Sequence, residues 1–190
     1  MDFFDSEENV NQYIKMAEGF DGRELIKILK NHLPPGKTVL ELGMGPGTDL
    51  DLLAGDFQVS GSDRSEIFVN RYLNQHPGAD VRLLDAVTIA TDDSFNCIYS
   101  NKVLHHLTRN ELIQSIERQS EVLNPGGLVM HSFWRGDKEE IIEGMRFRYY
   151  LEQQLDKLFA QYFKILDIQQ YTEMEAGDSV YLLGRILSHK

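Results

Sequence analysis

The stretch LELGMGPG at residues 40–47 is the feature that most restricts what this chain can fold into. Branched apolar residues lead into it, and Gly43, Gly45 and Gly47 then stand at every second position. Glycine loses more backbone entropy on folding than any other residue, so such a run indicates a sharp turn or a close approach to the backbone. A glycine-rich turn between the first strand and the next helix is the ligand-binding loop of doubly wound α/β folds.

The segments around this loop alternate between helix and strand patterns. Helical spacing of apolar residues predicts helices over residues 5–18, 22–32, 47–55, 65–75, 108–123 and 137–162. Short apolar runs predict strands over residues 37–43, 57–63, 79–85, 94–101, 128–134, 163–174 and 179–187. This alternation indicates an α/β fold, with a mostly parallel sheet and helices on both faces. No helix separates the last two strands, so one of them must run antiparallel in a hairpin.

Composition limits which molecules the protein is expected to bind and in which cellular compartment it is expected to occur. The chain has 190 residues, which fits a single domain, and its net charge of −11 repels nucleic-acid backbones and anionic membranes. Its one cysteine, Cys97, excludes a disulfide framework and a cysteine-built zinc site within one chain, so we expect no metal site. The acidic N-terminal stretch lacks the apolar segment of a signal peptide, and no apolar run approaches roughly 18 residues. We therefore expect a cytoplasmic protein with neither a nucleic-acid nor a membrane partner.

The spacing of the glycines separates three classes of ligand. A phosphate-binding loop ends in Gly-Lys-Ser/Thr, and no such triplet follows these glycines. A dinucleotide-binding G-x-G-x-x-G pattern counted from Gly43 would place its third glycine at Thr48. The spacing in this chain is instead E-x-G-x-G-x-G.

That spacing resembles motif I of the class I S-adenosylmethionine-dependent methyltransferases. Further segments follow in the order of that family: GSDRS, LLDAV and IYSNKVLHHL at the ends of the second, third and fourth predicted strands, and LNPGG before the fifth. The resemblance covers residues 37–134 closely. It implies a Rossmann-like, seven-stranded, mostly parallel sheet with a C-terminal antiparallel hairpin, and S-adenosylmethionine as the cofactor. The domain 1–190 would then comprise N-terminal helices (1–36), a cofactor-binding core (37–134) and a long helix with the terminal hairpin (135–190).

The resemblance also implies which residues contact the cofactor. Asp63 is expected on the ribose hydroxyls, and Asp85 on the adenine amino group beside the backbone amide of Ala86. Glu41 is expected to brace the glycine loop or to bind the cofactor's ammonium group, since a buried carboxylate needs partners. The full expected set is Tyr13, Glu41, Gly43, Gly45, Gly47, Asp63, Arg64, Asp85, Ala86, Ser100 and Asn101. The alternative to cofactor contact is a structural role for each residue. Asp63 would then cap a helix and Asp85 a strand end. The segment with Tyr13, which could close over the cofactor as a lid, would instead pack on the sheet edge.

Two further groups are candidates for the chemistry. His105 or His106 is a candidate general base, because a neutral imidazole near a methyl acceptor accepts protons at neutral pH. The alternative is that these histidines pack or bond to the backbone. The cluster expected to line the acceptor pocket is Trp134, Arg146, Tyr149 and Tyr150. Its arginine favours an acceptor with a carboxylate or phosphate, although exposed arginines and core aromatic residues on one helix would give the same pattern.

These residues together predict methyl transfer to a small molecule by a monomer or homodimer. Enzymes that methylate amino groups of nucleic acids carry a Pro-Pro-aromatic motif at the end of the fourth strand. This chain has SNKV there, so it does not resemble them at that position. The Pro-Cys pair of cytosine-C5 enzymes is absent, and one cysteine is too few for an arsenite methyltransferase. The main alternative is a catalytically silent S-adenosylmethionine-binding module that senses or scaffolds. A nucleotide-binding oxidoreductase is disfavoured by the glycine spacing.

Overall fold

The computed structural model describes residues 3–187, so residues 1, 2 and 188–190 of the predicted domain lie outside the described part. The helices of this part are α1 (Glu7–Met16), α2 (Arg23–Lys30), α3 (Thr48–Ala54), α4 (Glu66–Gln75), α5 (Arg109–Val122) and α6 (Glu152–Phe159). The strands are β1 (Thr38–Leu42), β2 (Gln58–Asp63), β3 (Val81–Leu83), β4 (Phe95–Asn101), β5 (Leu123–Trp134), β6 (Glu139–Ile142), β7 (Met145–Arg148), β8 (Phe163–Tyr171) and β9 (Ser179–Ile186). None of these helices is long and apolar enough to cross a membrane.

The main sheet has seven strands in the order β3-β2-β1-β4-β5-β9-β8. Strands β1 to β5 run parallel to one another, whereas β9 runs antiparallel to both β5 and β8. The predicted fold, with its C-terminal antiparallel hairpin, is therefore confirmed. Strand β1 pairs with β2 on one side and with β4 on the other, so the strand order reverses at β1. Ligands of open α/β sheets bind outside the carboxyl ends of the strands at such a reversal.

Apolar layers on both faces hold this sheet in place. On one face, Leu40 and Leu42 of β1 belong to a buried cluster with Ile116 of α5 and Phe159 of α6. On the other face, Val39 belongs to a cluster with residues of α2 and α3. Successive residues of a strand point to opposite faces, which is why the β1 sequence is apolar almost throughout. The layers fix the carboxyl ends of β1, β2 and β4 in one place.

Helix α5 begins as its sequence predicts. Thr108 Oγ1 accepts a hydrogen bond from the backbone N–H of Glu111, and the Glu111 carboxylate accepts one from the backbone N–H of Thr108 at 2.7 Å. This reciprocal pair is a capping box, and it satisfies two N–H groups that have no partner within the helix. It fixes the short segment between the end of β4 and α5.

The predicted long helix over residues 137–162 is wrong. Residues 139–142 and 145–148 form the two-stranded hairpin β6–β7, and only residues 152–159 are helical. Ile142 pairs with Met145 across a two-residue loop, and Glu143 and Gly144 have φ values of 51° and 82°. Positive φ at both loop positions is the geometry of the type I′ turn that suits the twist of a hairpin. Arg146 and Tyr150 consequently do not share a helix face.

Candidate active site

A cavity of about 720 Å³ opens at the carboxyl ends of β1 and β2. Its floor includes Gly43 and Gly45 of the loop between β1 and α3. The N-terminal segment, including Tyr13 of α1, and the β6–β7 hairpin, including Met145, also line the cavity. Ligand pockets of proteins have volumes of roughly 300–1,000 Å³, so this cavity can hold a cofactor-sized molecule.

The glycine loop packs tightly against the segment that follows β4. Gly43 has a φ of +66°, and a Cβ atom at this position would lie 2.6 Å from Cγ1 of Val103. Both the conformation and the contact therefore require glycine. Gly43 and Val103 line the cavity side by side.

Asp63 ties the end of β2 to the glycine loop. Its Oδ2 accepts a hydrogen bond from the backbone N–H of Gly45 at 2.9 Å, and its Oδ1 accepts one from Ser65 N–H at 2.8 Å. Burial raises the pKa of Asp63, and the backbone N–H groups of Ser65 and Gly45 act in the opposite direction. Its carboxylate lies in the cavity wall and also helps to shape the loop.

Four carboxylates surround the loop, and we call Glu41, Asp49, Asp51 and Asp63 the acidic cluster. Glu41 is 3% exposed, and its Oε2 has no hydrogen-bond partner among the described residues. Burial raises the pKa of Glu41 well above its usual value, and the charges of Asp49 and Asp63 raise it further. A buried, unpartnered carboxyl oxygen is costly, so this group fits a positively charged ligand.

Asp49 is a buried member of the cluster that the sequence prediction missed. It accepts hydrogen bonds from Gly22 N–H at 2.7 Å, from Tyr99 Oη at 2.7 Å and from Asn101 Nδ2 at 3.1 Å. It therefore joins the start of α2, the middle of β4 and the end of β4. Its position in the first turn of α3, directly after the glycine loop, was the sequence signal that could have identified it.

Part of the cavity lining, from the segment after β3 and from the segment before α5, is apolar. Leu84, Ala86, Val87 and Leu107 line the cavity there, together with Asp85. Asp85 Oδ1 accepts hydrogen bonds from the backbone N–H groups of Val87 at 2.8 Å and Thr88 at 3.0 Å. Asp85 thus caps the turn after β3 and also lies at the cavity wall.

The structure places the two adjacent histidines in different environments. His105 is 1% exposed, does not line the cavity, and has no hydrogen-bond partner at either ring nitrogen among the described residues. His106 lines the cavity, and its Nδ1 lies 2.7 Å from the backbone oxygen of Arg146. A carbonyl oxygen only accepts, so Nδ1 carries the proton and Nε2 of the neutral ring is an acceptor. Burial lowers the pKa of His106, the hydrogen bond to the backbone oxygen of Arg146 opposes this, and the charge of Arg64 lowers the pKa further; the net shift is downward and favours the neutral ring.

The residues predicted for the acceptor pocket are mostly elsewhere. Arg146 lines the cavity, but Tyr150 is 1% exposed and packs edge-on against Phe133 with ring centroids 5.4 Å apart. Tyr149 does not line the cavity, and Nζ of Lys138 lies 4.5 Å from its ring centroid. The ring of Trp134 is covered by Nζ of Lys102, which is 3.8 Å from the ring centroid. The helix on which this pocket prediction relied does not exist, and the hairpin directs these side chains differently.

The placement of the predicted site residues divides into two sets. Those that line the cavity are Tyr13, Gly43, Gly45, Asp63, Arg64, Asp85, Ala86, His106 and Arg146. Those that do not are Glu41, Gly47, Ser100, Asn101, His105, Trp134, Tyr149 and Tyr150. Ser100 instead shares a buried hydrogen bond of 2.8 Å with His131 Nδ1. Lining residues that the sequence prediction missed include Phe68, Lys102, Val103, Glu111 and Met145.

Comparison with known proteins identifies the class of this site. The model of a family described as a methyltransferase domain matches residues 15–173. The 1,6-didemethyltoxoflavin-N1-methyltransferase of Burkholderia thailandensis, solved with 1,6-didemethyltoxoflavin and S-adenosylhomocysteine, is 21% identical, with a TM-score of 0.82. That likeness covers 95% of this chain and 85% of the other. At this level of identity it shows the fold.

Two curated relatives match about half of this chain. The trans-aconitate 2-methyltransferase of Variovorax paradoxus is 36% identical over 101 residues, which are 51% of this chain and 38% of the relative. The tRNA (carboxymethyluridine(34)-5-O)-methyltransferase of Arabidopsis thaliana is 33% identical over 110 residues, which are 57% of this chain and 26% of the relative. This chain therefore spans well under half the length of these relatives.

Proposed function

This chain belongs to the S-adenosylmethionine-dependent methyltransferases, and we propose that it methylates a protic nitrogen or oxygen of a small acceptor. One observation carries the proposal: His106, whose Nδ1 is bonded to the backbone oxygen of Arg146 so that Nε2 of the neutral ring would be the acceptor, lines the same cavity as the glycine loop and Asp63. The acceptor would lie between His106 and the β6–β7 hairpin, where Met145 and Arg146 form the wall.

The residues around the glycine loop suit the cofactor. S-adenosylmethionine supplies, when bound, an electrophilic methyl group on a positively charged sulfur. The acidic cluster would hold the cofactor's cationic groups. Glu41 is buried and does not line the unliganded cavity, so we propose that its unpartnered Oε2 reaches the ammonium group only in the bound state. Asp63 would bind the ribose hydroxyls, and Asp85 with the N–H of Ala86 would bind the adenine edge. The family resemblance and the position of Asp63, Asp85 and Ala86 in the cavity wall support these roles.

The chain's own contribution to the reaction is alignment and proton removal. The N-terminal segment and the β6–β7 hairpin both contribute residues to the cavity lining, and we propose that they limit the access of water to it. His106 would take the proton of the acceptor from the nitrogen or oxygen that is methylated. Holding two reactants in line supplies much of the rate of such a displacement, so no covalent intermediate is required.

We propose an uncharged acceptor in place of the anionic one that the sequence favoured. Arg146 forms an ion pair with Glu139, so its guanidinium already has a counter-ion. The other charged residues that line the cavity near His106 are Arg64, Lys102, Glu111 and Glu143, and the Lys102 ammonium lies 3.7 Å from a carboxylate oxygen of Glu173. The positive side chains of Arg146 and Lys102 therefore already have counter-ions, and the lining also carries two glutamates.

The test is a methyl-transfer assay with isotope-labelled S-adenosylmethionine. The purified protein is offered separate sets of uncharged nitrogen heterocycles, phenols and carboxylates, and each product is identified by mass spectrometry. We expect label in a heterocycle or phenol. Binding of S-adenosylhomocysteine without any transfer would support the silent binding module instead, and absence of both would contradict the proposed function.

Charge also bears on macromolecular partners. The net charge of −11 supports the proposal that nucleic acid is not the substrate, although one relative is named as a tRNA methyltransferase. We include an unmodified tRNA in the same assay, and labelled tRNA would contradict this part. A cytoplasmic location and a monomeric or homodimeric state are likewise predictions.

Glu41 gives a prediction about proton release. In the free protein its raised pKa keeps the carboxyl protonated to a higher pH than usual. An ammonium group bound to Glu41 favours the ionised form, so binding lowers this pKa and releases a proton. Affinity for S-adenosylhomocysteine should therefore rise with pH until Glu41 also ionises in the free protein. Calorimetry in buffers of different ionisation enthalpy measures the released protons directly.

The Glu41→Gln variant isolates this effect. We expect it to bind about tenfold more weakly, which is the loss of one charge-assisted hydrogen bond, and to release fewer protons than the wild type. Glu24→Gln, which changes an exposed glutamate on α2, is the matched control. Unchanged proton release in Glu41→Gln would show that Glu41 is not the titrating group.

A further inference from the structure

The backbone at Lys102 is held in an unusual conformation next to the cavity. Lys102 directly follows β4, and its φ of 55° lies in the left-handed region, which non-glycine residues rarely adopt. The next residue, Val103, is the one that packs against Gly43. A residue kept in such a conformation needs surrounding contacts that hold it there.

The Lys102 ammonium group supplies those contacts. Nζ donates a hydrogen bond to Ser179 Oγ at 2.6 Å, lies 3.7 Å from a carboxylate oxygen of Glu173, and stands 3.8 Å from the ring centroid of Trp134. The backbone N–H of Lys102 donates to Ser132 Oγ at 3.0 Å. The side chain is 12% exposed, and burial lowers the pKa of Lys102 to about 8, against the opposing charges of Glu173 and Asp178.

We propose that Lys102 is a positioning residue that anchors the turn after β4 and thereby holds Val103 against the glycine loop. The ammonium has three N–H bonds. Ser179, Glu173 and the indole face of Trp134 lie around it, and the ring centroid of Tyr171 is 5.1 Å away. Lys102 also lines the cavity, but its ammonium is engaged by these groups, and we assign its effect on the cofactor site to the backbone of residues 101–103. This inference rests on the proposed function, because it assigns the turn a role in cofactor binding.

Two substitutions at this position separate the effect of losing the ammonium contacts of Lys102 from the effect of backbone strain at its positive φ. Lys102→Ala removes the anchor and leaves a residue that is strained at positive φ, whereas Lys102→Gly removes the anchor and tolerates that φ. If the anchor serves to hold the turn, S-adenosylhomocysteine should bind about tenfold more weakly to Lys102→Ala and only about threefold more weakly to Lys102→Gly. Calorimetry measures both affinities.

Controls keep the result interpretable. Lys138→Met changes a lysine that also lies over an aromatic ring, that of Tyr149, but outside the cavity, and it should bind like the wild type. If Lys102→Ala does not fold, Ser179→Ala removes the hydrogen-bond acceptor of Nζ together with the bond from Ser179 Oγ to Asp178 Oδ1, and we expect about a threefold loss. Thermal melting of each unliganded variant separates lost stability from lost affinity.

The outcomes distinguish the two proposals. A wild-type protein that does not bind S-adenosylhomocysteine contradicts the proposed function itself. A wild type that binds, with Lys102→Ala and Lys102→Gly either unchanged or weakened equally, overturns only the positioning role. Weakening that is larger for alanine than for glycine supports it.

Discussion

Asp63→Ala is expected to weaken S-adenosylhomocysteine binding at least about a hundredfold. Two ribose hydroxyls would donate to this carboxylate, and hydrogen bonds to a charged group contribute roughly 1.5–3 kcal/mol each. The substitution also removes Asp63 Oδ2, which accepts a hydrogen bond from Gly45 N–H at 2.9 Å, so the glycine loop loses a hydrogen bond that fixes its conformation. Both losses act in the same direction on affinity, and calorimetry measures their sum.

The two contributions can be separated by comparing variants. Asp63→Asn keeps one oxygen that can accept from Gly45 or Ser65, and it loses the negative charge. We expect its melting temperature to lie between those of the wild type and Asp63→Ala, with affinity still reduced at least about tenfold. Asp92→Ala, at an exposed carboxylate outside the cavity, is the control and should change neither quantity. Wild-type affinity in Asp63→Asn would contradict a ribose-binding role and leave Asp63 as a structural residue.

The sequence predicts the first half of this fold well because the signals there are local. Strands β1, β2 and β4 are short apolar runs between helices, and buried parallel strands require that composition. The capping box of Thr108 and Glu111 likewise lies within four consecutive residues. Such signals depend on neighbours along the chain and survive without knowledge of tertiary contacts.

The hairpin β6–β7 could not be predicted by the same reasoning. Ile141 and Met145 are four residues apart, which is also a helical spacing, and that coincidence favoured a long helix. The contrary signal was the Glu143-Gly144 pair, since two-residue loops that end in glycine are typical of hairpins. The error carried over to the site, because Tyr149 and Tyr150 were placed by helix geometry.

Among the site residues, those that the sequence predicts are likewise fixed by local spacing, and some that it misses are held by contacts distant in sequence. The glycine loop and Asp63 stand at fixed spacings along the chain, so the family pattern locates them. Lys102 is held by Ser179, which is distant in sequence, and no local pattern predicts that contact. His105 and His106 are adjacent in a short turn, so only the fold decides that one faces the core and the other the cavity.

His106→Asn is expected to lower the turnover of methyl transfer by about a hundredfold or more, while S-adenosylhomocysteine still binds. Removing a positioned general base costs typically about 10²–10⁴ in rate. Asparagine can place its amide nitrogen near the position of Nδ1 and keep the bond to the backbone oxygen of Arg146, but it has no basic nitrogen. The measurement is the rate of label transfer to the acceptor that the wild-type enzyme methylates.

The pH profile tests the same role independently. Burial lowers the pKa of His106 below the usual value of 6.5, so the base stays unprotonated down to a pH below 6.5. The wild-type rate should therefore remain constant as the pH is lowered to that point and fall only beyond it. This acid limb should disappear in His106→Asn, whereas His32→Asn, at an exposed histidine beyond α2, should keep both the rate and the limb. If His106→Asn retained the wild-type rate and the same acid limb, the proton would have to leave the acceptor by another route, and His106 would only hold the hairpin through Arg146.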